Sequence, residues 1–206
     1  NSASKDPGTM NVILAVFGYL GHFDSHILHG PASKEQNYKI YDEIILARHN
    51  LASGQKIDMD GTKGIADLRG FAEFYRLKTG ALYGASMAIG GILGNETFDN
   101  VDLLREAGNN LGISFQFSDD LLDWGGDPDK VKKTLGLDSR RKTPFDVATP
   151  RQILEVRGTY EQITRELLDK TGKSYKNVKR LITEMGRAFN SKMRKEKLDE
   201  LRSVLI

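Results

Sequence analysis

Residues 98–124 read FDNVDLLREAGNNLGISFQFSDDLLDW, a long segment closed by the cluster Gly125-Gly126-Asp127-Pro128. Such a cluster ends a helix, because proline brings no N–H and disfavours helical backbone in the residue before it, while glycine frees the chain to turn. Upstream, from Ile65 to about Leu93, apolar residues recur as Leu68, Phe71, Ala72, Tyr75 and then Leu82, Ala85, Ile89 and Leu93. That is close to a 3.6-residue period and predicts one long helix. Roughly Glu35 to Gln55, with Gly54 near its end, and Met10 to roughly Leu28, closed by Gly30-Pro31, predict two earlier helices. Downstream, a loop rich in Lys and Arg runs to Pro144, and helical period resumes after Pro150 with Ile153, Val156, Tyr160, Ile163 and Leu167. No alternating run flanked by hairpin residues interrupts these segments, so the chain is expected to be all-α.

At 206 residues and 39% hydrophobic composition the chain can bury one sizeable core. A single helical domain is expected over residues 10–206, with residues 1–9, NSASKDPGT, as a tag-like or disordered lead. The formal net charge of +2 argues for no nucleic-acid partner. The absence of cysteine excludes a disulfide framework and a thiolate metal site. No apolar run approaches the roughly 20 residues that span a bilayer, so no membrane span is expected and a cytoplasmic location is the default. The basic stretch Ser191 to Lys197 is interleaved with Glu196, Asp199 and Glu200 and has no stacking platform, which reads as a solvated helix face.

The sharpest chemical feature is Asp119, Asp120 and Asp123 at the end of an apolar helix. Asp119 and Asp123 are four apart and share a face, with Asp120 and Gln116 alongside, while Phe115 and Leu122 are expected to turn to the core side. Like charges so close need a solvated surface, protons or cations, and hard divalent cations take carboxylate oxygens together with water and phosphate. On the residues alone, a metal site and a solvated helix end both stand. A calcium loop fits poorly, since the carboxylates lie at helical spacing and the loop pattern is missing. Lys130, Lys132, Lys133, Arg140, Arg141 and Lys142 follow soon after; they suit a metal-chelated diphosphate and equally a basic surface loop. Gln55 and Asp58 read as packing groups or as substrate neighbours. His22, Asp24, His26 and His29 suggest a metal cluster only weakly, and Trp124 reads as a helix-end anchor.

Lys78-Thr79-Gly80-Ala81-Leu82, followed by Phe115-Gln116-x-x-Asp119-Asp120-x-x-Asp123, resembles the trans-polyprenyl diphosphate synthase family. Gly54-Gln55-x-x-Asp58 is similar to that family's upstream GQ-x-x-D stretch, and Gly126-Asp127-Pro128-x-Lys130 through Lys142-Thr143-Pro144 to its lysine-rich tail. The resemblance implies a helical bundle of the isoprenoid synthase type, in which isopentenyl diphosphate is joined to an allylic diphosphate. It implies Mg²⁺ as cofactor, held by Asp119, Asp120 and Asp123, which helps the allylic diphosphate to leave before the isopentenyl double bond attacks. Lys78 would touch the allylic diphosphate, Thr79 and Gln116 would place the reacting end, and Lys133, with Lys142 behind it, would bind diphosphate.

The family also carries an earlier aspartate-rich motif, and the only Asp-Asp pair in these 206 residues is Asp119-Asp120. The bundle is therefore expected to be N-terminally truncated relative to the family. The first expectation is an enzyme subunit completed by another polypeptide that brings the first motif, and association is expected as a homodimer or as a heteromer with a longer prenyltransferase subunit. The alternative is a non-catalytic regulatory or binding subunit of a related synthase.

Overall fold

The computed structural model describes residues 32–131 and 142–202. The lead over residues 1–9, the expected helix from Met10 to roughly Leu28, the histidines near it, and Lys132, Lys133, Arg140 and Arg141 lie outside the described residues.

Ser33 opens α1 (Lys34–Asp60) with a capping box: its hydroxyl accepts the Gln36 N–H at 3.2 Å, and Gln36 Oε1 accepts the Ser33 N–H at 3.0 Å. After a single 3₁₀ turn, Thr62–Gly64, Asp67 caps α2 (Leu68–Tyr75) by accepting the Gly70 N–H at 2.8 Å. The chain then makes one π-helical turn, Arg76–Gly80, and continues as α3 (Ala81–Leu93), with Tyr75, Arg76, Gly80 and Ala81 all in right-handed helical backbone. Thr97 caps α4 (Phe98–Gly125), and the short α5 (Pro128–Val131) follows. Thr149 caps α6 (Pro150–Lys170), with Pro150 in the first turn, where its missing N–H costs nothing; α7 (Lys176–Lys192) and α8 (Lys195–Arg202) complete the described chain. Among the described residues there is no strand, only an isolated bridge between Gly126 and Met193, so the fold is all-α.

Helix α4 is the central post, packed along α3 on one side and α6 on another, while α1 covers α3. Phe71, Phe117, Leu121 and Ile153 are almost wholly buried where α2, α4 and α6 meet. Leu104, Ala107 and Leu111 close the next layer against Leu168 and Ile182. Burying each such large side chain contributes about 1.5–3 kcal/mol before entropic cost. Two glycines set the helix spacing. A Cβ on Gly112 would lie 2.6 Å from the Gly80 Cα, and one on Gly54 2.6 Å from the Lys78 backbone nitrogen. Each is a place where two backbones touch.

Four expectations need correction. Gly54 does not mark the end of α1, which runs on to Asp60 and stops at Gly61 with φ +85°; Gly54 is a contact point inside the helix. The expected helix from Ile65 begins at Leu68, and its apolar stripe changes phase. Ala81, Ala85, Ala88 and Ile92 are buried, while Leu82 and Leu93 are about half exposed. The π turn breaks the 3.6-residue period, and α3 packs chiefly on α4 and α1, whereas the buried face of α2 shares its core with Ile153 of α6 as well as with α4. On α4 the core side belongs to Phe117 and Leu121, with Leu122 packed partly buried against it as expected, whereas Phe115 is exposed at the rim of a cavity between α4, α6 and α7. Finally, Ser191 to Lys197 is not one solvated face. The helix breaks between α7 and α8, Arg194 donates to the carbonyls of Trp124 and Gly125, and Lys197 lies over the Trp124 ring at 4.5 Å.

Candidate functional site

The α2–α3 run and α4 form an antiparallel hairpin, and the residues singled out from the sequence are rungs between its two sides. Thr79 donates its hydroxyl to Gln116 Oε1 at 3.0 Å. One turn further along, Tyr75 donates its hydroxyl to Asp120 Oδ2 at 2.6 Å. Beyond these polar rungs Gly80 meets Gly112 and Gly84 meets Gly108, which lets the two helices close up. The π turn carries Lys78 and Thr79, and such turns widen a helix locally and often mark functional sites.

Lys78 Nζ lies 3.0 Å from Asp58 Oδ2 and 5.5 Å from the Phe74 ring centre. Asp58 is buried near the end of α1, and the Gly54 contact with the Lys78 backbone brings it there. Of the two residues left open on α1, Asp58 is thus tied to Lys78, while Gln55 is exposed. Burial pushes the Tyr75 phenol far above its ordinary range, and the carboxylates of Asp120, Asp119 and Asp58 push the same way. The phenol is therefore a permanent donor.

Asp119, Asp120, Asp123 and Gln116 are each half-buried at the end of α4. They do not converge into a ready-made cage: among the described residues no three His, Asp or Glu side chains come together as a metal site. The helix explains this, since Asp120 is turned to Tyr75 while Asp119 looks into a different space. That space is a cavity of about 170 Å³ between α4, α6 and α7, lined also by Phe115, Leu122, Arg157 and Lys192. Arg157 donates to Ser118 Oγ at 2.7 Å, pairs with Glu161 at 3.3 Å and lies 4.8 Å from the Phe189 ring centre. Burial pulls the Arg157 guanidinium below its ordinary value, and Glu161 partly offsets that.

Lys142 is fastened elsewhere. Its ammonium donates to the Ile65 carbonyl at 2.6 Å, and its own carbonyl accepts the Thr62 hydroxyl, which ties the end of the basic loop to the α1–α2 connection. Lys133 lies outside the described residues. Trp124 stacks on Phe145 at 6.1 Å between ring centres. Sequence reasoning missed Tyr75 and Arg157 as members of this region. Tyr75 was hidden because it fits the apolar stripe, although a tyrosine buried on such a stripe needs a partner for its hydroxyl.

A family profile described as polyprenyl synthetase matches residues 10–185. The farnesyl diphosphate synthase of Bacillus subtilis is 28% identical over 133 residues, which is 64% of this chain and 44% of that protein. A short chain isoprenyl diphosphate synthase of Methanocaldococcus jannaschii is 33% identical over 90 residues, 44% of this chain and 28% of that protein. The matched stretch is thus less than half the length of these curated relatives. Among solved structures, the fold is similar to a geranyltransferase from Helicobacter pylori complexed with magnesium and isoprenyl diphosphate, with TM-score 0.64 and 18% identity over 83% of this chain and 56% of that one. It is also similar to a geranylgeranyl pyrophosphate synthetase from Geoglobus acetivorans, with TM-score 0.63 and 22% identity over 81% and 62%. With most of its length matched by that profile, the chain belongs to the polyprenyl synthetase family.

Proposed function

We propose that this chain supplies the diphosphate-handling half of a magnesium-dependent trans-prenyltransferase, an isoprenyl diphosphate synthase that joins isopentenyl diphosphate to an allylic diphosphate. One observation carries the reading: the hairpin bonds Thr79, on the π turn that also carries Lys78, to Gln116, and Tyr75, just before that turn, to Asp120 of the aspartate cluster. A cation, a hydroxyl, an amide and three carboxylates thus share one end of the hairpin, and handling of a metal-chelated diphosphate needs those groups together.

The donor set fits Mg²⁺. This ion keeps several waters and takes one or two carboxylates plus substrate phosphate, so it does not require three aspartates to converge. Asp119 and Asp123, on one helix face, would be its principal holders, with Asp120 beside them. Bound there, magnesium would neutralise charge on the departing diphosphate. Lys78 and Lys133 would take diphosphate oxygens, with Lys142 behind them. Asp58 pairs with the Lys78 ammonium, so a phosphate group would exchange one anionic partner of that lysine for another. Thr79 and Gln116, already bonded to each other, would orient the reacting end. The family's other, earlier aspartate-rich motif is not found in these 206 residues and would be supplied by another polypeptide, such as a longer prenyltransferase subunit.

The reading is tested by melting the chain with inorganic diphosphate, with and without Mg²⁺. At about 100 times the dissociation constant the complex should gain roughly 2.7 kcal/mol of stability, a rise on the order of 5–11 °C in the midpoint. Equal shifts without metal, or undiminished shifts in Asp119→Asn, would sink it. Turnover of isopentenyl and allylic diphosphates, measured with and without a longer synthase, separates a catalytic subunit from a regulatory one.

A further inference from the structure

We propose that Tyr75 is a positioning residue that holds the Asp120 carboxylate in one orientation at the magnesium–diphosphate site. The inference rests on the reading of the aspartates as that site and adds a residue to it.

The phenol is unusually well placed for this task. Tyr75 is 4% exposed, and its ring is boxed by Phe117, edge-on at 5.0 Å, by Phe74 at 5.3 Å and by Phe71 at 6.0 Å. These contacts leave the ring no room to swing, so the hydroxyl is a fixed post. Its 2.6 Å bond to Asp120 Oδ2 has the length of a charge-assisted O–H···O⁻ contact. A carboxylate on its own rotates about its last bond and can present either oxygen. With Oδ2 tied, that rotation is stopped and the carboxylate keeps one attitude at the end of α4.

Position along the chain adds a second argument. Tyr75 is the last residue of α2, immediately before the π turn, and Thr79 lies within that turn. Tyr75 and Thr79 fasten to Asp120 and Gln116, which are one helical turn apart on α4. Lys78 lies on the stretch between these two rungs. The phenol therefore fixes an aspartate and one end of the segment that carries the lysine, and a phenylalanine in its place would keep the ring packing while losing both constraints.

The test is a double-mutant cycle on the full 206-residue chain, read by titration calorimetry of inorganic diphosphate in the presence of Mg²⁺. Tyr75→Phe should weaken binding roughly tenfold and, because the bond is present without ligand, also lower the unliganded midpoint by a few degrees. The same change in an Asp120→Asn background should add far less, because the partner is already altered. Tyr160→Phe is the control: it also removes a hydroxyl from a ring stacked on Phe117, and it should bind like the native chain. Native-like binding by Tyr75→Phe, or an equal loss in both backgrounds, overturns the positioning role. Absence of metal-dependent binding in the native chain, or no effect of Asp119→Asn, overturns the site reading and this inference with it. Should the phenylalanine variant fail to fold, NMR of the native chain decides. An exchange-protected downfield phenol proton, lost in Asp120→Ala, supports the bond, and its absence in the native chain refutes it.

Discussion

The two ends of the α2–α3 and α4 hairpin are built on the same geometry from opposite materials. Near the turn, contact is apolar: Ala88, Ile92, Val101 and Leu104 are buried, and Gly91 admits the Leu104 side chain. The turn itself is pinned from outside by Gln36, which donates to the Ile92 carbonyl at 3.0 Å and to Asn95 Oδ1 at 3.2 Å. At the other end the rungs are polar, Thr79 to Gln116 and Tyr75 to Asp120, and the helix widens into a π turn. The turn end is stable in its own right. The far end gathers carboxylates whose mutual repulsion is relieved best by cations, so part of its stability is expected to arrive with a ligand. Packing and chemistry are thus separated along a single pair of helices.

The largest expected effect lies at the packing end. Leu104→Ala should cost about 2–5 kcal/mol in denaturant unfolding, while the folded protein keeps its magnesium-dependent response to diphosphate. Loss of that response would break the separation. Next, Asp119→Asn should remove roughly 2.7 kcal/mol of ligand-conferred stability at about 100 times the native dissociation constant, and alter the unliganded protein by no more than about 0.5 kcal/mol. Gly54→Ala crosses the division, because its new Cβ would strike the Lys78 backbone. It should cost about 1–3 kcal/mol through overpacking and also weaken diphosphate binding; calorimetry that finds affinity unchanged would show that Lys78 does not depend on α1. The smallest effect is Thr97→Ala, which removes the cap of α4 at the Asn100 N–H and should cost about 1 kcal/mol, with no effect on binding.

The same division governs what the sequence could tell. Where helices pack by period, as from Phe98 to Gly125, the segment and its stop were legible, because the closing Gly-Gly-Asp-Pro cluster acts locally. The aspartates were legible as well, since their spacing alone places them on neighbouring faces. Period failed at Leu82 and Leu93, whose exposure follows the shift of phase at the π turn, which no local pattern encodes. Phe115 failed for a similar reason: an apolar residue looks the same in sequence whether another helix covers it or not. Tyr75 and Arg157 stayed hidden because their meaning lies in partners 45 and 39 residues away. Gly54 was read as a stop, when its role is contact with a helix that comes later in the chain.

The π turn has a consequence for how this stretch of chain can vary. It holds one residue more than a regular helix would place between α2 and α3. If Leu77 were deleted, the extra residue would be gone and the helix could close into its ordinary period, with Ala81, Ala85, Ala88 and Ile92 keeping the sides that α1 and α4 now cover. What would be lost is the widened turn that carries Lys78 and Thr79. The bundle can spare this letter, and the site cannot.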